Sequence, residues 1–149
     1  MKFISRFCSV FLLGGIALLS SPVQADEKEA ENCLREKIWA GYEGGWAVRT
    51  ATTITLEEEA HRVFLVTLYE GNEYKFMVCG DKDSRDLDIV LHNATGEELA
   101  RDSDKSREPL VQFTAKETQT YYIAVYASSI SEEAEGTGIA FAVTYKCVC

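Results

Sequence analysis

The chain has 149 residues, 24 acidic against 15 basic, for a formal charge of −9 at neutral pH, and 46% of it is hydrophobic. A surface this acidic repels nucleic acid and anionic lipid, which excludes both as expected partners. It suits solubility, cation binding or a basic partner.

The first 25 residues carry Lys2 and Arg6, then the apolar run Val10 to Leu19, then Ser20, Ser21, Pro22 and the ending Val23-Gln24-Ala25. This is the layout of a secretory signal peptide cleaved after Ala25. The run is short for a bilayer span and no second one follows, so a secreted or periplasmic product without membrane insertion is expected. Cys8 precedes the run, whereas a lipoprotein cysteine would follow it. Cleavage leaves about 124 residues, enough for one domain. Losing Lys2 and Arg6 takes the formal charge to about −11.

Residues 26–45 form the N-terminal helix and its glycine turn. Ala30, Cys33, Leu34 and Ile38 recur at helical spacing from Asp26 to Ala40, acidic residues crowd the start, and Gly41, Gly44 and Gly45 close it. From Trp46 to the end, β-branched and aromatic residues alternate between regular turn signals. Strands are predicted near Trp46–Leu56, Arg62–Tyr69, Tyr74–Cys79, Leu87–Asn93, Glu98–Arg101, Pro109–Thr114, Thr120–Tyr126 and Ile139–Lys146. Eight strands in one modest domain favour an all-β fold, a two-sheet antiparallel β-sandwich of jelly-roll type with one short helix. The longest loop is expected at Ser128 to Gly138.

Four cysteines follow the signal sequence: Cys33, Cys79, Cys147 and Cys149. In an oxidising compartment they predict two disulfides. Closing Cys147 onto Cys149 across one residue would be strained, so bonds from Cys33 and Cys79 to the terminal pair are expected. Neither His61 nor His92 has a zinc-ligand spacing to any cysteine.

The stretches Leu68-Tyr69-Glu70-Gly71-Asn72-Glu73-Tyr74-Lys75-Phe76, Asp86-Leu87-Asp88-Ile89-Val90-Leu91, Gly96-Glu97-Glu98-Leu99-Ala100 and Thr120-Tyr121-Tyr122-Ile123-Ala124-Val125 occur in that order. Their succession resembles the bacterial pre-peptidase C-terminal domain over Val63 to Lys146. The resemblance implies a jelly-roll sandwich that serves secreted proteases as a non-catalytic accessory, with relatives at the ends of bacterial collagenases that bind calcium and collagen. The present chain departs from that setting by adding a helix and four cysteines, and it is expected to stand without a protease domain.

Two candidate sites follow. Asp81, Asp83, Asp86 and Asp88 place four carboxylates within eight residues and offer the hard oxygen ligands that calcium prefers. The spacing is not that of an EF-hand, because Arg85 and His92 stand where ligands belong. The alternative is a solvated loop that caps a strand. Tyr122 and Tyr126 share one face of a strand, opposite Tyr121, Ile123 and Val125. One set belongs to the core; the other is either an exposed platform for a protein or glycan ligand or lies under the helix.

No nucleophile motif accompanies the two histidines, which points away from an enzyme. The leading expectation is an exported, non-catalytic binding module with calcium as a candidate cofactor. The alternatives are an inhibitor of a basic envelope enzyme such as lysozyme, and a carboxylate-dependent hydrolase.

Overall fold

The computed structural model describes residues 25–148; the signal-sequence reading rests on residues outside that range, as does Cys149. One helix, α1 (Glu27–Tyr42), precedes eight strands: β1 (Ala47–Leu56), β2 (His61–Leu68), β3 (Asn72–Gly80), β4 (Ser84–His92), β5 (Glu98–Asp102), β6 (Leu110–Thr114), β7 (Gln119–Ile130) and β8 (Thr137–Cys147). They build two four-stranded sheets, β1-β8-β3-β6 and β2-β7-β4-β5. Every pairing is antiparallel.

This order is that of a jelly roll. The first half of the strands pairs with the second half in reverse, β1 with β8, β2 with β7, β3 with β6 and β4 with β5. Rolling this double ribbon adds β3 to β8 and β4 to β7, which completes the two sheets. The alternation that predicted the strands also decides what lies between them. Tyr74, Phe76 and Val78 of β3, Leu87, Ile89 and Leu91 of β4, and Tyr121, Ile123 and Val125 of β7 all meet in the central core.

A second, smaller cluster lies on the opposite side of the first sheet, where α1 packs. Ala30 and Leu34 of the helix meet Met77 and Cys79 of β3 and Ala140 and Ala142 of β8. Small residues on β8 let the helix approach closely. At Gly138 even a Cβ would come within 2.6 Å of the backbone of Asp26 and Glu27. The helix start is fixed by Asp26, whose side chain accepts from the Glu29 amide at 3.0 Å. Glu27 accepts hydrogen bonds from the hydroxyls of Thr53 and Thr55 on β1.

Three expectations change. First, β7 continues to Ile130 because Ser129 and Ile130 pair with Asp86 and Ser84, so the acidic loop after it is shorter than expected. Second, β4 begins at Ser84, which places Asp86 and Asp88 in a strand and leaves only residues 81–83 as the turn.

Third, the expected disulfide pairing is wrong: Cys33 bonds to Cys79, with Cα atoms 6.0 Å apart, and not to the C-terminal pair. Cys33 faces the sheet from the helix and Cys79 faces the helix from β3, so the two meet directly. Cys147 stands opposite Asn72 at the other end of β3, roughly 24 Å away at the rise of an extended strand. Cys147 is itself disulfide-bonded.

The Cys33–Cys79 bond closes a loop of 46 residues. The double variant Cys33→Ala/Cys79→Ala should therefore lose about 4 kcal/mol of stability in the chain-entropy account, measured by urea denaturation. A peptide map of the native protein should recover Cys33 and Cys79 in one cross-linked fragment.

Candidate binding face

The four aspartates do not gather at one point. Asp81 is fully buried, and its carboxylate accepts four hydrogen bonds. Oδ2 receives the backbone amides of Asp26 (2.8 Å) and Gly138 (2.7 Å), while Oδ1 receives the Asp83 amide (3.0 Å) and the Thr137 hydroxyl (2.6 Å). Since Thr137 donates to Asp81, the Ser84 hydroxyl 2.5 Å from it acts as donor to Thr137. Burial pushes the Asp81 carboxyl up, but the bonds from Thr137, Asp26, Gly138 and Asp83 outweigh it and hold the group below its ordinary range.

The other three are engaged elsewhere. Asp83 accepts from Lys82 Nζ at 2.9 Å, and Asp88 accepts from the Ser128 hydroxyl. Asp86 sits between two register shifts of β4, with a buried Oδ1 that has no hydrogen-bond partner among the described residues. A calcium ion takes six to eight oxygens around one point. With its lone pairs already committed to protein donors, Asp81 does not fit such a site, and the set of four does not supply one. Among the described residues, the single group of three metal-capable side chains with ligand atoms within 4.8 Å is Cys33, Cys79 and Glu108, and its sulfurs are bonded to each other.

Tyr122 and Tyr126 are placed differently. Tyr121, Ile123 and Val125 fill the core, which turns the two tyrosines outward on the second sheet. Among the described residues that sheet carries no helix, since α1 packs against β1, β3 and β8. The outer face can be read in rows across the strands. Leu65, Tyr122, His92 and Glu98 form the first; Val63, Ala124, Val90 and Arg101 the second; His61, Tyr126 and Asp88 the third.

Leu65 is 63% exposed and Val63 41%, while Tyr122 and Tyr126 are half-buried by their neighbours. The His61 ring stacks on Tyr126 with centroids 5.1 Å apart. Beside this apolar strip lies a concavity of about 210 Å³ lined by Asp88, Val90, His92, Arg101 and Tyr126. Arg101 donates through Nε and Nη2 to the two oxygens of Glu98, each at 2.6 Å, and these bonds hold Glu98 below its usual range. An aromatic and aliphatic strip edged by charged hydrogen-bonding groups is suited to docking a ligand surface.

Both histidines, His61 and His92, also stand on this face. Neither has a hydroxyl or thiol hydrogen-bonded to it among the described residues. Sequence reasoning reached Tyr122 and Tyr126 but missed Val63, Leu65, His61, Arg101 and Glu98, because cross-strand register rather than chain position brings them together.

No family model matches the chain, and a search of curated proteins returns no match. Among solved structures, the chain is similar to the pre-peptidase C-terminal domain of a collagenase from Bacillus anthracis. The similarity has 18% identity and a TM-score of 0.46, and covers 62% of this chain and 87% of that domain. The fold assignment rests on the strand order described above.

Replacing Asp81 by Asn puts an NH2 group among inward-pointing donors. Asp81→Asn should cost about 3 kcal/mol by chemical denaturation at neutral pH. A carboxyl held below its unfolded value, ~3.9, contributes stability above that value and loses it as pH falls through the lowered native value. The gap between wild type and variant should accordingly close in acid below about pH 4. Millimolar calcium should leave the melting temperature of the native protein unchanged.

Proposed function

We propose that this chain is a non-catalytic binding module of an exported protein, and that it binds its partner through the outer face of the β2-β7-β4-β5 sheet. The observation that carries this reading is the unequal treatment of the two sheets. One has its outer face covered by α1, whereas the other leaves Val63, Leu65, Tyr122 and Tyr126 uncovered. Apolar side chains grouped in register mark interaction surfaces more reliably than singly scattered ones. The Cys33–Cys79 disulfide and the bonded state of Cys147 support an oxidising destination. No helix among the described residues is long and apolar enough to cross a membrane.

The motif resemblance to collagen-binding relatives and the acidic charge name the first partners to try. A collagen-like triple-helical peptide, a chito-oligosaccharide and a basic lysozyme should be titrated against the native protein and a Leu65→Ser/Tyr126→Ala variant. The variant should keep its melting transition and lose about tenfold or more in affinity for the partner that binds. Full retention of binding by the folded variant would place recognition on another surface. Binding of lysozyme that collapses with added salt would favour the inhibitor reading.

A further inference from the structure

Where the last turns of α1 run past the alanines of β8, a cavity of about 270 Å³ opens between helix and sheet. Its walls are Trp46, Ile38, Met77 and Leu110. Lys75 and Thr144, opposite each other on β3 and β8, also line it, and Lys37 stands on the helix side. Thr144 is only 3% exposed, and its Oγ1 has no hydrogen-bond partner among the described residues. A buried hydroxyl left unpaired is costly, so it marks a place where a polar atom belongs.

The Lys75 ammonium lies 4.0 Å from the centroid of the Trp46 ring and has no carboxylate partner among the described residues. Lys37 is paired with Glu108 at 2.8 Å. Two cations on one apolar cavity stand out in a chain of formal charge −9. The volume falls just under the ~300–1,000 Å³ common for ligand pockets, which limits the guest to a small molecule.

From this geometry we infer that the cavity is a binding site for a small monocarboxylate with an apolar body. The carboxylate takes the Lys75 ammonium and the Thr144 hydroxyl, and the body packs on Met77, Ile38 and Leu110 against Trp46. Hexanoate, hexanol and hexylammonium share one body and differ in the head, so they test the assignment. The readout is the NMR shift of the Trp46 indole N–H and the Thr144 amide in the native protein.

Hexanoate should shift both resonances at low millimolar concentration, hexanol less and hexylammonium not at all. Lys75→Met should weaken hexanoate about tenfold and leave hexanol unchanged. Thr144→Val should weaken hexanoate while the melting temperature holds or rises, because the unpaired hydroxyl is gone. Equal shifts from hexylammonium, no shift from hexanoate, or shifts centred on Val63 and Leu65 would each overturn the proposal.

A second inference comes independently from Asp81 and rests on the exported reading. Asp26, the first residue after the expected cleavage bond, places its backbone nitrogen 2.8 Å from the buried Asp81 Oδ2. We propose that Asp81 is the receptor for the new N-terminus. Hydrolysis of the Ala25–Asp26 bond by water leaves a carboxylate on Ala25 and an amine on Asp26, which takes a proton at neutral pH and becomes the counterion of Asp81. The charged groups around it are mostly acidic: Glu27 and Glu29 on the helix, Asp83 on the turn, and Asp26 itself, against Lys82 and Arg107.

The ion pair raises the pKa of the amine above its free value of ~7.7–8.0, so its stabilisation is complete below that value and fades as pH rises through the raised one. Native protein beginning at Asp26 should melt higher at neutral pH than the same chain carrying one extra N-terminal glycine. The difference should vanish in strong alkali and in the Asp81→Asn background. Equal melting of the two forms at neutral pH overturns the ion pair. An exported chain that mass spectrometry finds to begin elsewhere overturns the assigned bond.

Discussion

A single buried carboxylate ties together three pieces of chain that are far apart in sequence. Through its two oxygens Asp81 gathers the start of α1, the turn between β3 and β4, and the first residues of β8. Its burial is tolerable because each lone-pair direction finds a donor, and a carboxylate so served is more stable charged than neutral. The surroundings follow from that anchor. Gly138 is bare of a side chain because the helix backbone passes over it, and Glu27 then reaches the threonines of β1. Farther along the helix, Cys33 arrives above Cys79.

Alternation made the strands and the core legible in the sequence, since period two states directly which residues face inward. Tyr74, Phe76 and Val78 alternate along β3, Leu87, Ile89 and Leu91 along β4, and all six are buried. What sequence order hides is register. The four aspartates look like one cluster because they are near in chain, yet the turn ends at Asp83 and the strand carries Asp86 and Asp88 away on another sheet. The disulfide pairing is hidden for a related reason: the strain of a Cys147–Cys149 loop says nothing of where Cys79 and Cys147 lie, which is toward opposite ends of the same strand ladder. The period-two run Gly138, Ala140, Ala142 on β8 was a signal present in the sequence that could have placed the helix.

The two outer faces are built differently. On the first sheet, small side chains invite a helix, and the contact is reinforced by a disulfide and by ion pairs from Lys37 to Glu108 and Arg107 to Glu29. On the second, Leu65 and the tyrosines are too bulky for such an approach and stay at the surface. A sandwich needs only its inner faces to be stable, so an outer face is free to take on recognition.

The ribbon-like pairing of first strand with last has a temporal consequence. β8 is an interior strand of its sheet, flanked by β1 from one end of the chain and β3 from the middle, and it also seats the helix. A nascent polypeptide lacking residues 137–147 offers α1 only part of its platform and leaves β1 and β3 with exposed edges. Long-range closure of this kind is slow, and partial products offer little to fold around. The two sheets can therefore close fully only once residues 137–147 are in place.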